Sequence, residues 1–273
     1  MKGLITLKQR IITGFALVVL LIVILALGTP FVEIAVALLA AMGIMELFNA
    51  TGMAENKLLM FTAVGAGLCL VAVQCIGANL FNPAMYVYIV ILFAIYMSNM
   101  QKIMLKDIAK TFFLTVYVAF LFAHIIFVRN LDYGYLMIWL VLIGAFVTDT
   151  AALFAGKFFG KHKLCPKLSP KKTIEGSVGG ILGCIVATLI FCLVGKIGFK
   201  LEVDYLWAVV IGLGASVVSQ LGDLSASCIK RQFGIKDYGK LMPGHGGVMD
   251  RFDSLFFVAP FVYYMLLISP IFA

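Results

Sequence analysis

Residues Ile11–Phe48 read IITGFALVVLLIVILALGTPFVEIAVALLAAMGIMELF, with Glu33 and Glu46 their only charged members. A helix that crosses a bilayer needs about 20 predominantly apolar residues, so this run is long enough for two. The break between them is Gly28-Thr29-Pro30, a helix stop followed by a proline suited to a helix start. No A-x-A-like cleavage site follows Leu27, and further spans come at once. The first segment is therefore expected to be a retained transmembrane helix rather than a signal peptide.

Applied outward from this pair, the same rule gives nine spans: Ile11–Leu27, Phe31–Phe48, Leu58–Ile76, Ala84–Met100, Thr111–Val128, Tyr133–Ala155, Gly176–Val194, Tyr205–Ser225 and Ser254–Phe272. The composition agrees. Of 273 residues, 63% are hydrophobic and 12% charged, against about 25% charged in a soluble chain. So few charges could not cover a water-soluble particle of this size. The expected fold is all-α, a polytopic integral membrane protein; a disordered chain and a secreted disulfide scaffold are excluded. The six cysteines contain no C-x-x-C pair and read as small apolar fillers.

Cytoplasmic connections should hold the excess of lysine and arginine. With nine spans and the N-terminus inside, all 21 basic residues except Arg129, Lys196 and Lys200 fall on that one side. The expected topology is N-terminus cytoplasmic and C-terminus outside, with the net charge of +8 gathered on the cytoplasmic face. Attraction to anionic lipid accounts for many of these residues. It does not account for their concentration in two loops, about 156–175 and 226–253. The chain divides near Lys110: 1–110 is an N-terminal scaffold half, and 111–273 a C-terminal half that carries nearly all the polar chemistry.

The first loop, GKFFGKHKLCPKLSPKKTIE from Gly156 to Glu175, holds six lysines and one histidine. Gly156–Lys161 has the outline of a P-loop, but it is one residue short between its glycines and His162 follows the lysine, so that reading is rejected. Gly176/Gly180 and Gly179/Gly183 are overlapping small-xxx-small pairs, which pack closely within the chain or between the subunits of a homodimer.

The second loop, within Gln220–Ser254, is the informative one. Asp223 lies about 27 Å along its helix, near the inner edge of the hydrocarbon core. Asp250 and Asp253 are spaced i, i+3 and share one helix face. The loop between is short enough to bring Asp223 beside Asp250. Carboxylates converging there, among Lys230, Arg231, Lys236, Lys240 and Arg251, suit an oxygen-liganded Mg²⁺ with anionic phosphates. Pro243-Gly-His-Gly-Gly247 can approach a ligand with little side-chain obstruction. Asp149 sits inside the sixth span, where an ionised aspartate costs about 2.5–3.5 kcal/mol on insertion scales, so it should face protein or water. Glu46 lies at the cytoplasmic end of its span, where it is expected to snorkel; Glu33 receives no role.

The run Ser227-Cys-Ile-Lys230-Arg231, then Lys236-Asp237, then Pro243-Gly-His-Gly-Gly-Val-Met-Asp250-Arg251-Phe-Asp253 resembles the signature of the phosphatidate cytidylyltransferases, or CDP-diacylglycerol synthases. Met242 stands where that pattern expects Ile, Leu or Phe. Lys157, Gly160, Lys161, Ser169-Pro-Lys-Lys-Thr173 and Glu175-Gly176 in the first loop also fit, with Ile174 in place of an aromatic residue. The N-terminal half is similar in hydropathy only. The resemblance implies transfer of CMP from CTP to phosphatidic acid in the cytoplasmic membrane, with the active site facing the cytoplasm. It implies Mg²⁺ at Asp223, Asp250 and Asp253, in a centre of one or more cations. Asp223, Lys230, Arg231, Asp250 and Arg251 would be catalytic. Ser169, Lys172, Thr173, Lys236, Asp237, His245, Gly246 and Gly247 would bind substrate, His245 as a ligand contact or loop organiser rather than a general base. The implied partners are CTP, phosphatidic acid and the bilayer, not nucleic acid. Two other classes compete: a CTP-using membrane enzyme with a polyprenol or isoprenoid-ether acceptor, and a secondary transporter. A transporter should show paired repeats and midplane charges, whereas these acids cluster at the inner boundary.

Overall fold

The computed structural model describes residues 7–239, 241 and 246–272, and it is helical nearly throughout. Helix α1 (Leu7–Leu27) and helix α2 (Thr29–Ala50) are parted by Gly28, whose φ of 99° is a left-handed conformation that a side chain would strain. Pro30 then occupies the first turn of α2, where a missing N–H costs nothing. Helix α3 (Lys57–Ile76) begins at Asn56, whose side-chain oxygen accepts from Leu59 N at 3.2 Å. Helices α4 (Phe81–Ser98) and α5 (Leu105–Arg129) follow. Helix α6 (Gly134–Leu142) runs through one π-helical turn, Ile143–Val147, into α7 (Thr148–Phe159). Strands β1 (Lys163–Cys165) and β2 (Ser169–Thr173) form an antiparallel hairpin, and α8 (Ile174–Phe199), α9 (Tyr205–Gln232) and α10 (Met249–Ile268) complete the chain.

Among the described residues, eight helical stretches are long and apolar enough to cross a membrane: α2, α3, α4, α5, α6 through α7, α8, α9 and α10. Helix α1 occupies the first expected span, with Ile12–Leu27 as its apolar part. The chain is an all-α polytopic membrane protein. Two local expectations change. Helix α9 continues past Ser225 to Gln232, so Lys230 and Arg231 stand on its last turns rather than in a loop. The lysine-rich loop contains a hairpin.

The chain forms two compact units. The first comprises Met1–Ile126 and Phe233–Arg251. Its core is made of large side chains such as Ile44, Leu47 and Phe48 of α2, Leu59 and Leu70 of α3, Leu92 of α4 and Phe122 of α5. A buried hydrogen bond ties α4 to α5, with the Tyr88 hydroxyl donating to Thr115 Oγ1 at 2.8 Å.

The second unit comprises Phe127–Gln232 and Phe252–Ala273. Helix α8 shows why it belongs in a bilayer. Gly176, Gly180, Cys184, Thr188 and Cys192 recur every fourth residue and are buried, while Ile174, Val178, Leu182, Val186 and Ile190 run along the other side exposed. Branched aliphatic side chains turned outward are what a lipid solvent favours. The small face meets α7 so closely that a Cβ on Gly183 would lie 2.5 Å from the Ala151 Cβ. The glycine stripe is therefore used within the chain.

Candidate active site

In the second unit the hairpin is held to the helices at three places. Glu175, in the first turn of α8, accepts from the backbone N–H of Lys161 at 3.1 Å and of His162 at 3.2 Å, and its carboxylate meets His162 Nδ1 at 2.7 Å. Arg231, at the end of α9, donates through Nε to the Leu168 carbonyl at 3.4 Å. Lys172 of β2 pairs with Asp223 of α9 at 2.5 Å, both side chains about a quarter exposed. Of the two neighbouring lysines Lys171 is exposed, whereas Lys172 is half-buried. Thr173, buried, ends the strand and caps α8 by accepting from Gly176 N at 3.1 Å.

Asp223 also has acidic company. Gly222, one residue before it, packs so tightly on α10 that a Cβ there would lie 2.6 Å from the Asp253 carbonyl and 2.9 Å from the Phe257 ring. Only glycine permits that approach, and it brings two carboxylates to one place. Asp253 is 8% exposed and lies within electrostatic range of Asp223 and Asp149, which repel it, and of Lys230, which attracts it. Its Oδ1 accepts from Ser254 N at 2.9 Å, and the Ser254 hydroxyl donates to Asp149 Oδ2 at 3.0 Å. Asp149 stands two residues beyond the π-helical turn, a device common at functional sites. Lys172, Lys230, Asp149, Asp223 and Asp253 therefore share one polar neighbourhood of this unit.

The first unit holds the other half of the expected residues. The first turn of α10 and the chain before it are fixed by two carboxylates. Asp250 Oδ2 accepts from Tyr238 N at 2.7 Å and from Gly247 N at 3.0 Å. Glu46 of α2 accepts from Val248 N and Met249 N, both at 2.9 Å. Glu46 is 9% exposed, so it does not snorkel; it is buried against the backbone of a segment about 200 residues later. Arg251, Lys236 and Asp237 are exposed, and Ser169 of the other unit is half-buried. His245, together with Lys240 and Met242–Gly244, lies outside the described residues.

The donor chemistry suits a divalent ion. Asp223 and Asp253 offer hard oxygen donors near lysines that can meet phosphate. Among the described residues no three His, Cys, Asp or Glu side chains form a closed metal cage. Mg²⁺ needs none, since it is usually held by one or two carboxylates together with substrate phosphates and water. Sequence reasoning missed Glu46, Gly222 and the Ser254–Asp149 contact. For Glu46 one signal was present, the cost of a carboxylate in an apolar span, which calls for partners.

Known proteins are similar to this sequence along nearly its full length. The sequence profile described as the cytidylyltransferase family matches residues 8–269. The chain is 35% identical to a phosphatidate cytidylyltransferase of Bacillus subtilis, over 96% of this chain and 98% of that protein. It is 32% identical to a phosphatidate cytidylyltransferase of Staphylococcus haemolyticus, over 95% and 99% of the two chains. A phosphatidate cytidylyltransferase of Staphylococcus aureus is 37% identical over 50% of this chain and 48% of its own.

Proposed function

The chain belongs to the cytidylyltransferase family, and we propose that it transfers CMP from CTP to phosphatidic acid, giving CDP-diacylglycerol and pyrophosphate. It is a nucleotidyltransferase, and the observation that carries the choice of substrates is its end-to-end likeness to phosphatidate cytidylyltransferases.

In the proposed step a phosphate oxygen of phosphatidic acid attacks the α-phosphorus of CTP. The new O–P bond forms as the bond to the β-phosphate oxygen breaks, and pyrophosphate carries away the electron pair. The nucleophile is already an anion, so no strong base is needed. The barrier is the repulsion between two anions and the charge that builds on the leaving group. Lys172, Lys230 and Arg231 answer the first need as cations close to the membrane helices, with Arg231 able to grip two oxygens at once. From the family signature, Lys236 and Arg251 would also contact phosphate, and Ser169, Thr173, Asp237, His245, Gly246 and Gly247 would contact substrate. Holding both phosphates in line is the remaining task, and it is a large part of the rate.

Asp223 and Asp253 would hold Mg²⁺, which supplies charge neutralisation on the phosphate oxygens when bound. The family signature adds Asp250 to that set; here its Oδ2 is engaged by the N–H groups of Tyr238 and Gly247. Lys172 then has two duties. It pairs with Asp223, and it would also contact phosphate beside the ion that the carboxylate would hold.

A lipid substrate accounts for the membrane setting. Acyl chains stay among the helices, and the headgroup meets CTP at the cytoplasmic boundary, with nine spans, the N-terminus inside and the C-terminus outside. The test is to incubate purified protein with labelled CTP, phosphatidic acid and Mg²⁺, with and without EDTA. Label entering lipid as CDP-diacylglycerol, abolished by EDTA, is the expected result. A well-folded sample that labels a polyprenol or isoprenoid-ether lipid but not phosphatidic acid would overturn it.

A further inference from the structure

Glu46 takes no part in the chemistry above, yet it is a carboxylate buried at the end of a membrane helix. Its surroundings are built around it. The residue before the first turn of α10 is Val248, which has no side-chain oxygen to cap the helix. The N–H groups of Val248 and Met249 donate instead to the two oxygens of Glu46, one each, at 2.9 Å. Gly239 and Gly247 close over the same carboxylate, and a Cβ on either would collide with Glu46 Oε1. Negative charge is also favoured at a helix N-terminus by the helix dipole.

We propose that Glu46 is a positioning residue for the transfer reaction: it clamps the first turn of α10 and fixes where Asp250 and Arg251 stand. This rests on the reading of the chain as a CTP-dependent transferase. Two carboxylates divide the work. Asp250 accepts from the N–H groups of Tyr238 and Gly247, while Glu46 anchors the backbone of Val248 and Met249 from α2. Because both oxygens of Glu46 are used, an isosteric amide cannot replace it. Glutamine offers one acceptor, and its NH₂ would face a donor.

The clamp and its catalytic consequence are measured separately. Hydrogen exchange of the Val248 and Met249 amides reports the clamp without any substrate. In Glu46→Gln and in Gly239→Ala, whose added Cβ would lie 2.5 Å from Glu46 Oε1, it is expected to quicken at least ~10-fold, as a local opening rather than global unfolding. In the labelled-CTP assay both variants should lose kcat at least ~10-fold, with KM for CTP and for phosphatidic acid within ~3-fold, because a misplaced site harms the transition state more than binding. The pair should not be additive. In a Glu46→Ala background, where the collision with the carboxylate is gone, Gly239→Ala should cost under ~2-fold more. Unchanged amide exchange in both variants refutes the clamp, and wild-type kcat or fully additive losses refute the positioning role. A wild-type protein that makes no CDP-diacylglycerol defeats the transferase reading, while the exchange result still decides whether the clamp exists.

Discussion

Gly222→Ala is the sharpest test of how the carboxylates are brought together. The added Cβ would lie 2.6 Å from the Asp253 carbonyl and 2.9 Å from the Phe257 ring, where ordinary contact begins at 3.4 Å. The carbonyl belongs to the α10 backbone and cannot swing aside as a side-chain tip can. The two helices must therefore part locally by about 0.8 Å, the shortfall from ordinary contact. Overpacking of this kind costs about 1–3 kcal/mol, which an integral membrane bundle can absorb without unfolding. A shift approaching 1 Å in a catalytic constellation costs on the order of 100-fold in rate. Turnover in the labelled-CTP assay should thus fall about 10- to 100-fold, while the protein stays in the membrane and melts only slightly earlier. Gly198→Ala is the control, since a Cβ there meets nothing within 4 Å. If Gly222→Ala turns over at the wild-type rate, the close approach at Gly222 does not set the active geometry, and the pairing of Asp223 with Asp253 loses its functional meaning.

Other substitutions separate chemistry from support. Asp223→Ala should abolish turnover and leave membrane insertion unchanged; activity near wild type would remove Asp223 from the site. Lys172→Met should leave thermal stability within about 1 kcal/mol, because a partly exposed ion pair contributes little, yet lower turnover at least ~10-fold through lost phosphate contact; a large stability loss with normal turnover would make the pair structural. Tyr88→Phe removes the hydroxyl that α4 shares between Thr115 Oγ1 and the Thr111 carbonyl of α5, and its cost should be about 0.6 kcal/mol by detergent denaturation, as is typical of such bonds in membrane bundles, with activity intact. Gly179→Leu, set against Ala155, should destabilise the second unit by about 1–3 kcal/mol from overpacking alone.

The membrane fold was legible because hydropathy is a local property. The break at Gly28-Thr29-Pro30 and the helix starts at Lys57 and Tyr205 stand close to where the apolar runs suggest. What hydropathy missed is helix that lies outside the apolar run: Ala226–Gln232 continues α9 because lysine and arginine are good helix formers. The hairpin was hidden by its lysines and proline, which are depleted in strands and carry no strand signal. The π-helical turn at Ile143–Val147 shifts register without changing composition. In the candidate site the residue types were readable, since carboxylates with lysine and arginine declare phosphate chemistry. Their partners were not. Glu46 accepts its hydrogen bonds from main-chain N–H groups 202 and 203 residues away, and Ser254 reaches Asp149 across 105, distances over which one sequence carries no pairing signal.

The separation between Glu46 and its partners also sets a schedule. Ribosomes add about 5–20 residues per second, so the 202 residues between Glu46 and Val248 take on the order of 10–40 s to emerge. Throughout that interval α2 is in or near the membrane with a carboxylate whose eventual donors have not yet been made. The nascent chain must keep that charge hydrated, protonated or shielded by the insertion machinery until the last helix arrives. A product stopped short of Val248 never receives those donors. The same carboxylate thus separates chains that have reached α10 from those that have not, since only the former can bury it against these donors.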